Sequence, residues 1–236
     1  MHYLYIDIET IPAGDPNFEL LKTKEELEKE APKSYSVKGK EEWVAKKLDS
    51  QVADMNNEHK KGGLNSLKAE IVCISMALDN GEPTTIKYNK DQKHMLEKML
   101  AWIEGECKQH RFSMIWVGKN VLGFDIWMIW HRAIKYQMKH LMDLLPVEKW
   151  TKRVEDVGAI WDCYQYGKYT KLDDIAKFLG LEGKRDVDGS QVYDLFLDGK
   201  LDTIYDYCQN VDIPTTRDVH RMLKGIKPLN SKIDGL

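Results

Sequence analysis

The sequence predicts an α/β protein in which helices flank a mixed sheet and a charged, mainly helical insertion follows the first strand. Two observations carry this prediction. Strand-like runs near the beginning of the chain and after residue 68 are followed by a second half that is mostly of helical period. Between the first two runs, residues 13 to about 68 are rich in Lys and Glu, which is typical of exposed helices.

The first strand is predicted where an apolar, β-branched and aromatic run leads into Asp7-Ile8-Glu9. Side chains of a strand alternate between two faces, so Asp7 and Glu9 point to the same side. Two carboxylates at the end of a buried strand repel each other and lose hydration unless a cation neutralises them, and hard ions such as Mg²⁺ or Mn²⁺ prefer carboxylate oxygen. The pair therefore indicates a metal site. The alternative is the solvated end of an edge strand.

The insertion, at about residues 13–68, is predicted to form one or two exposed helices joined by a turn-prone stretch. Lys46 and Lys47 lie there among further lysines and near the aromatic residues Tyr35 and Trp43. Basic side chains interleaved with aromatic rings can hold a nucleic-acid strand, which makes both lysines candidate substrate-binding residues. The alternative is a solvated helix face.

The remaining elements are predicted from turn signals and from the spacing of apolar residues. The turn Asp79-Asn80-Gly81 separates two strands that continue the first strand as an antiparallel meander. Asp91 is expected to cap the helix that follows. The predicted limits are strands at 71–78, 84–88 and 114–117, and helices at 91–106, from 124, at 172–179, at 190–197 and from 201.

Composition favours one soluble, cytoplasmic domain over residues 1–236. A chain that is 42% hydrophobic and of this length can bury one sizeable core. Its formal net charge of −3 means that any contact with a polyanion must be local. The four cysteines show no Cys-x-x-Cys spacing, which favours reduced thiols over a disulfide frame or a zinc site. No apolar run is long enough for a membrane span and no secretion signal opens the chain, so no membrane partner is expected.

Two later segments carry polar groups where function is commonly displayed. Residues 118–125, Gly-Lys-Asn-Val-Leu-Gly-Phe-Asp, lie where a strand gives way to a helix, and glycines there permit a tight backbone. Asp125 is a candidate acid, with the alternative that it satisfies free N–H groups at the helix start. The last candidates are Tyr207 and an acid near it on a late helix. The alternative for Tyr207 is a half-buried aromatic side chain.

Taken in order, three segments resemble the motifs of the DEDD superfamily of 3′–5′ exonucleases, which have a ribonuclease H-like fold: Asp7-Ile8-Glu9, Asn120-x-x-x-Phe124-Asp125, and Tyr207 with a nearby Asp. The second half more closely resembles the predicted 3′–5′ exonuclease family related to the proofreading domain of family B DNA polymerases. The stretches that carry this closer resemblance are 171–176, 183–192 and 206–210. The resemblance covers nearly the whole chain except the insertion.

The resemblance implies hydrolysis of phosphodiester bonds at the 3′ end of single-stranded DNA or RNA with two Mg²⁺ or Mn²⁺ ions. Two cations about 4 Å apart activate a water, hold the scissile phosphate and stabilise the departing oxygen. Tyr207 would orient the attacking water, since a phenol with a usual pKa of about 10 is a hydrogen-bonding group at neutral pH. The other implied roles are Asp7 as the bridging ligand, Glu9, Asp125 and the late Asp as further ligands, and Asn120 and Phe124 as substrate contacts.

The late motif departs from the family pattern by one residue. The family expects an acid four positions after the tyrosine, where this chain has Val211, and Asp212 lies one position later. On a regular helix one residue corresponds to a rotation of about 100°, which would turn the carboxylate away. Because Pro214 removes a backbone N–H, we expect a distortion that makes Asp212 the fourth ligand. With a regular helix, the chain would instead be a catalytically weakened nucleic-acid or partner-binding module.

Overall fold

A computed structural model of the protein describes residues 1–181 and 188–229. Within them the strands are β1 (Tyr3–Pro12), β2 (Ala69–Leu78), β3 (Thr84–Lys87), β4 (Ile115–Gly118) and β5 (Val154–Asp156). The α-helices are α1 (Lys24–Glu30), α2 (Val37–Lys61), α3 (Gln92–Cys107), α4 (Asp125–Lys135), α5 (Lys139–Leu144), α6 (Val157–Trp161), α7 (Leu172–Phe178), α8 (Val192–Leu197), α9 (Leu201–Tyr207) and α10 (Ile213–Leu223). A π-helix, Cys208–Asp212, joins α9 to α10. Short 3₁₀ turns are Phe18–Leu20, Gly62–Leu64, Lys108–His110 and Gly189–Gln191.

The central strand of the sheet is β1, in the order β3-β2-β1-β4-β5. β4 runs parallel to β1 with Val117 opposite Tyr5, and β5 runs parallel to β4. β2 and β3 are antiparallel. The Asp79 N–H, just after β2, donates to the carbonyl of Tyr3 at the start of β1, as strands of opposite direction require. The sheet is therefore mixed and the chain is α/β, which confirms the predicted fold class.

The predicted elements differ from the observed ones in a few places. β5 is missed by the sequence prediction because three half-buried residues are too short to show a period of two. The helix predicted at 190–197 begins as a 3₁₀ turn capped by Asp188 and is α-helical only from Val192. Residues 182–187, within the stretch 183–192 that supports the family resemblance, lie outside the described residues. The predicted cap of α3 is confirmed, because Asp91 Oδ1 accepts the N–H of His94 at 3.1 Å.

Two buried apolar clusters join the sheet to the helices of the second half. The first links β1 and β4 to α6, α7 and α10, and includes Tyr5, Val117, Val157, Ile175, Ile213 and Val219. The second links β1 and β2 to α8, α9 and the π-helix, and includes Ile11, Val72, Cys73, Val192, Ile204 and Cys208. Both clusters involve β1, so the end of α9 and the start of α10 are packed against the strand that carries Asp7 and Glu9.

The chain divides into two compact units, one formed by Met1–Ile11 with Glu70–Leu236 and one by Pro12–Ala69. The second, the insertion unit, contains α1 and α2 around a small cluster of Leu27, Ala31 and Val44. Its limits lie close to the predicted insertion of 13–68. That residues 1–236 act as one domain stays a prediction. Among the described helices, none combines the length and the apolar character needed to cross a membrane.

Candidate active site

The predicted acidic residues of β1 meet a third carboxylate from the far end of the chain. Asp7 and Glu9 are both half-buried, while Ile8 between them is buried. Asp7, Glu9 and Asp212 each offer a carboxylate oxygen, and these three oxygens lie within 4.8 Å of one another. We call these residues the acidic group. Asp212 is only 4% exposed, so the group sits at the edge of the core rather than on an open surface.

A π-helix brings Asp212 to this position. The Ile213 N–H donates to the carbonyl of Cys208, five residues earlier, instead of following the four-residue step of an α-helix. On a regular α-helix the five residues from Tyr207 to Asp212 would turn about 500°, which leaves the two side chains about 140° apart. A hydrogen bond between residues i and i+5 places one more residue in the turn. Asp212 can therefore face Asp7 and Glu9 on the same side as Tyr207.

Pro214 supplies a physical reason for the π-helix. In a continuous α-helix the N–H of residue 214 would donate to the carbonyl of Asn210, and proline has no N–H to give. Pro214 instead lies in the first turn of α10, where the missing donor costs nothing. The local distortion expected from the sequence is therefore present, and it takes the form of a single π-turn at Cys208–Asp212.

Tyr207 is buried and hydrogen-bonded to Asp212. Burial, and then the negative charges of Asp212, Glu9 and Asp7, raise the pKa of the Tyr207 hydroxyl well above its usual value. The phenol therefore stays protonated at neutral pH and donates its hydrogen to a carboxylate. Tyr207 can fix the orientation of Asp212 or of a water, but it is not a base.

Asp125 is buried at the first turn of α4, and its side chain contacts the backbone of β1. Its Oδ1 accepts the N–H of Ile8 at 2.9 Å, which ties the helix to the strand between Asp7 and Glu9. Burial first, and then the charges of Asp7 and Asp156, raise the pKa of Asp125 well above its usual value. Asp125 is thus close enough to repel Asp7, although its oxygens are not among the three that lie within 4.8 Å.

Cys208 also reaches the acidic group, and the sequence reasoning assigned it no role. Its thiol donates to Asp7 Oδ2 at 3.1 Å, and its sulfur lies 3.5 Å from the Asp7 carbonyl oxygen. Burial, followed by a hydrogen bond with Cys73, raises the pKa of the Cys208 thiol well above its usual value. The only signal in the sequence is that Cys208 directly follows Tyr207.

Asn120 and Phe124 lie in the tight segment between β4 and α4. Asn120 is exposed and has a positive φ of 57°, and its carbonyl accepts the Phe124 N–H at 2.9 Å. A Cβ on Gly118 would lie 2.9 Å from the Ile6 carbonyl oxygen, and one on Gly123 would lie 2.5 Å from Asn120 Oδ1. Close approach of the backbone requires a glycine at Gly118, whereas a Cβ on Gly123 would only displace the exposed Asn120 side chain.

Lys46 and Lys47 lie on an exposed part of α2 in the insertion unit. Lys47 Nζ is 5.8 Å from the centre of the Trp43 ring, so the expected proximity of a basic and an aromatic side chain is present. Their role as substrate-binding residues stays a prediction.

Comparison with known proteins agrees with this arrangement of motifs. Residues 64–220 match the family described as predicted 3′–5′ exonucleases related to the exonuclease domain of PolB. The chain belongs to this family. The matched region contains Asp125, Tyr207 and Asp212, whereas Asp7 and Glu9 precede it. No curated protein matches the chain.

Among solved structures, this family member is similar to the family B DNA polymerase from the hyperthermophilic archaeon Pyrobaculum calidifontis. The TM-score is 0.57 and the sequence identity 15%, with 95% of this chain covered. The same alignment covers 24% of the polymerase chain, so the similarity concerns the fold of one part of that protein.

The donor set of the acidic group suits a hard divalent cation. Its three described donors are carboxylate oxygens, the ligand type that Mg²⁺ and Mn²⁺ prefer, and the described residues offer no other group of three or more potential ligands as close together. Without a cation, carboxylates this close raise one another's pKa, and burial adds to the cost. The residues present therefore fit the divalent ions that the family resemblance implies.

Proposed function

We propose that the chain is a metal-dependent 3′–5′ exonuclease that hydrolyses phosphodiester bonds at the 3′ ends of single-stranded DNA or RNA with Mg²⁺ or Mn²⁺. The observation that carries the proposal is the convergence of Asp7, Glu9 and Asp212 within 4.8 Å from segments about two hundred residues apart. Membership of a family of predicted 3′–5′ exonucleases supports the reaction class.

The ions would be held by Asp7, Glu9 and Asp212, with Asp125 next to Asp7 as the fourth acid. When bound, two such ions activate a water and stabilise the charge on the scissile phosphate and the departing 3′ oxygen. Tyr207 remains neutral and donates a hydrogen bond, which fixes Asp212 and can orient a water.

The remaining candidate residues would act on the substrate rather than on the ions. Asn120 and Phe124 lead directly into Asp125, which suits contact with the terminal nucleotide. Lys46 and Lys47 would contact phosphates, because lysines hold phosphates without specifying bases.

A direct test uses a 5′-labelled linear single-stranded DNA, its circular form, a duplex and a matching RNA. With Mg²⁺ or Mn²⁺ we expect stepwise shortening from the 3′ end, no product in EDTA, and intact circles. Full activity in EDTA, or efficient cutting of circles, would contradict the proposal. Binding of the strands without hydrolysis in either ion would instead favour the weakened binding module.

A further inference from the structure

A cleft of about 200 Å³ lies beside the carboxyl ends of β4 and β5, apart from the acidic group. Its walls are residues 119–120 after β4, the start of α6, and the loop at residues 162–170, which we call the tyrosine loop. In α/β proteins, ligands bind preferentially at the carboxyl ends of parallel strands. The cleft adjoins the candidate active site, because Asn120 lines it and its carbonyl accepts the N–H of Phe124, the residue before Asp125.

Three exposed aromatic side chains border the cleft within six residues of sequence. Tyr164 is 75% exposed, Tyr169 is 73% exposed, and Tyr166 is fully exposed. All three line the cleft. Single exposed aromatic residues are common, but a cluster of tyrosines at the rim of a cleft is typical of a surface that stacks unpaired bases.

The tyrosine loop is held in a defined conformation. The Asp162 carboxylate accepts both the N–H and the hydroxyl of Thr170, which closes the loop at its two ends. The Tyr164 N–H donates to the carbonyl of Ala159 at 2.7 Å. Cys163 and Tyr164 both have positive φ values, of 51° and 56°, a strained state that persists only where the surroundings enforce it. The aromatic rings are thus presented by a closed loop rather than by a loose tail.

The charges of the cleft also suit a phosphate chain. Lys119 and Lys168 line it, and their charges add to the hydrogen bonds from Thr170 that lower the pKa of Asp162. The two acids of the cleft are already engaged: Asp162 by Thr170, and Asp156 by the N–H groups of Gly158 and Ala159 at 3.0 Å each. Lys119 and Lys168 are the cationic side chains of the lining, so a phosphate would be held by direct contact with them and not by a net positive charge, which the two acids offset.

We propose that this cleft binds the unpaired DNA strand that leads to the scissile 3′ end, with bases stacked on Tyr164, Tyr166 and Tyr169 and phosphates held by Lys119 and Lys168. The inference rests on the proposed function for the identity of the ligand. In this proposal the strand is bound mainly by stacking, which tolerates any base sequence.

The test measures binding in EDTA, where no hydrolysis occurs, by fluorescence anisotropy of 5′-labelled thymidine oligomers. For the double variant Tyr166→Ala with Tyr169→Ala, we expect the Kd for an oligomer of about twelve nucleotides to rise about thirtyfold or more. Tyr166→Phe with Tyr169→Phe should keep the wild-type Kd, because phenylalanine still stacks. Lys168→Gln should make the salt dependence of log Kd shallower by about 0.7, the value for one contact to a single strand.

Matched controls and length dependence separate this role from loss of structure. Trp150→Ala removes another exposed aromatic residue, 85% exposed, that does not line the cleft, and should leave the Kd unchanged. The alanine variant should bind an oligomer of about three nucleotides and a blunt duplex as the wild type does. Equal losses on duplex, or a phenylalanine variant as weak as the alanine variant, would overturn the stacking role.

Activity assays distinguish failure of this inference from failure of the proposed function. If the wild-type chain shortens DNA in Mg²⁺ but the alanine variant binds the long oligomer normally, the cleft is not the strand site. If the alanine variant loses binding while the wild-type chain hydrolyses no strand in Mg²⁺ or Mn²⁺, the strand-binding role of the cleft is supported and the exonuclease proposal is wrong.

Discussion

The acidic group and the pair Lys46 and Lys47 on α2, which we call the lysine face, are both clusters of like charge, yet they differ in how they are built. Asp7 and Glu9 are half-buried on β1, Asp212 is buried and comes from the far end of the chain, and Tyr207 and Cys208 hydrogen-bond to members of the group. Lys46 and Lys47 are neighbours on one exposed helix, where solvent screens their repulsion at little cost. A buried cluster of like charge needs a counter-ion to be stable, whereas an exposed one does not, so substitutions should separate the two regions clearly.

The largest expected effect is that of Asp7→Ala. Loss of this member of the acidic group, which also accepts from Cys208, should lower kcat on the order of 10³-fold or more, since the ions supply several kcal/mol of transition-state stabilisation. The measurement is 3′-end shortening with Mn²⁺, together with Mn²⁺ binding by calorimetry. Asp206→Ala, an exposed acid on the same helix as Tyr207, should stay at the wild-type rate. An Asp7→Ala variant that retains both activity and Mn²⁺ binding would break the comparison.

The next effect concerns the π-turn. Asp212→Ala should depress kcat about a hundredfold or more, comparable to Asp125→Ala, because it removes a carboxylate of the acidic group. Val211→Asp should bring no gain, since the π-helix already turns residue 212 toward Asp7 and Glu9. Side-by-side rates of the three variants decide the matter: a nearly silent Asp212→Ala with a more active Val211→Asp would point to a regular helix.

A smaller effect is expected at Cys208. Cys208→Val removes the thiol donor to Asp7 Oδ2 at similar volume, and loss of such a supporting hydrogen bond costs about 10- to 100-fold in metal affinity. Cys208→Ser restores a donor and should recover most of that affinity. Titration of activity against Mn²⁺ provides the readout, with Cys107→Val, the same change at a buried cysteine outside the acidic group, as the control. Wild-type Mn²⁺ dependence in Cys208→Val would show that Cys208 does not support metal binding.

The smallest effect should come from the lysine face. Lys46→Glu with Lys47→Glu should weaken binding of single-stranded DNA at low salt and make the salt slope shallower by about 1.4, the value for two phosphate contacts, with kcat unchanged. Lys24→Glu with Lys29→Glu makes the same charge change on α1 and serves as the control. Equal affinity of both variants at low salt would mean that the face of α2 is merely solvated.

The sequence predicted the parts of this molecule that depend on local periodicity. Alternation along β1 was sufficient to pair Asp7 with Glu9, and turn and cap signals located β2, β3 and α3. The fold class followed from the order of these elements. The missed strand, β5, has only three residues. It forms by pairing with β4, which is distant in sequence, so no local pattern predicts it.

The parts of the site that escaped prediction depend on contacts between distant segments. The role of Pro214 was visible, but the form of the distortion was not, because an i→i+5 bond leaves no period in the side chains. Cys208 reaches Asp7 only through the packing of the π-helix on β1. The tyrosine loop carries no apolar pattern at all, and its shape depends on hydrogen bonds such as those of Asp162 with Thr170 and of Tyr164 with Ala159.

The bond from Ile8 N–H to Asp125 has a consequence for how the chain can vary in length. It joins the middle of β1 to the first residue of α4, and the path from β4 to that residue begins at Gly118, which has no room for a Cβ beside the Ile6 carbonyl. Adding or deleting a residue between Gly118 and Asp125 would therefore displace the backbone between Asp7 and Glu9. Natural relatives of this chain should therefore keep that segment at constant length, and accept insertions in the unit that follows β1.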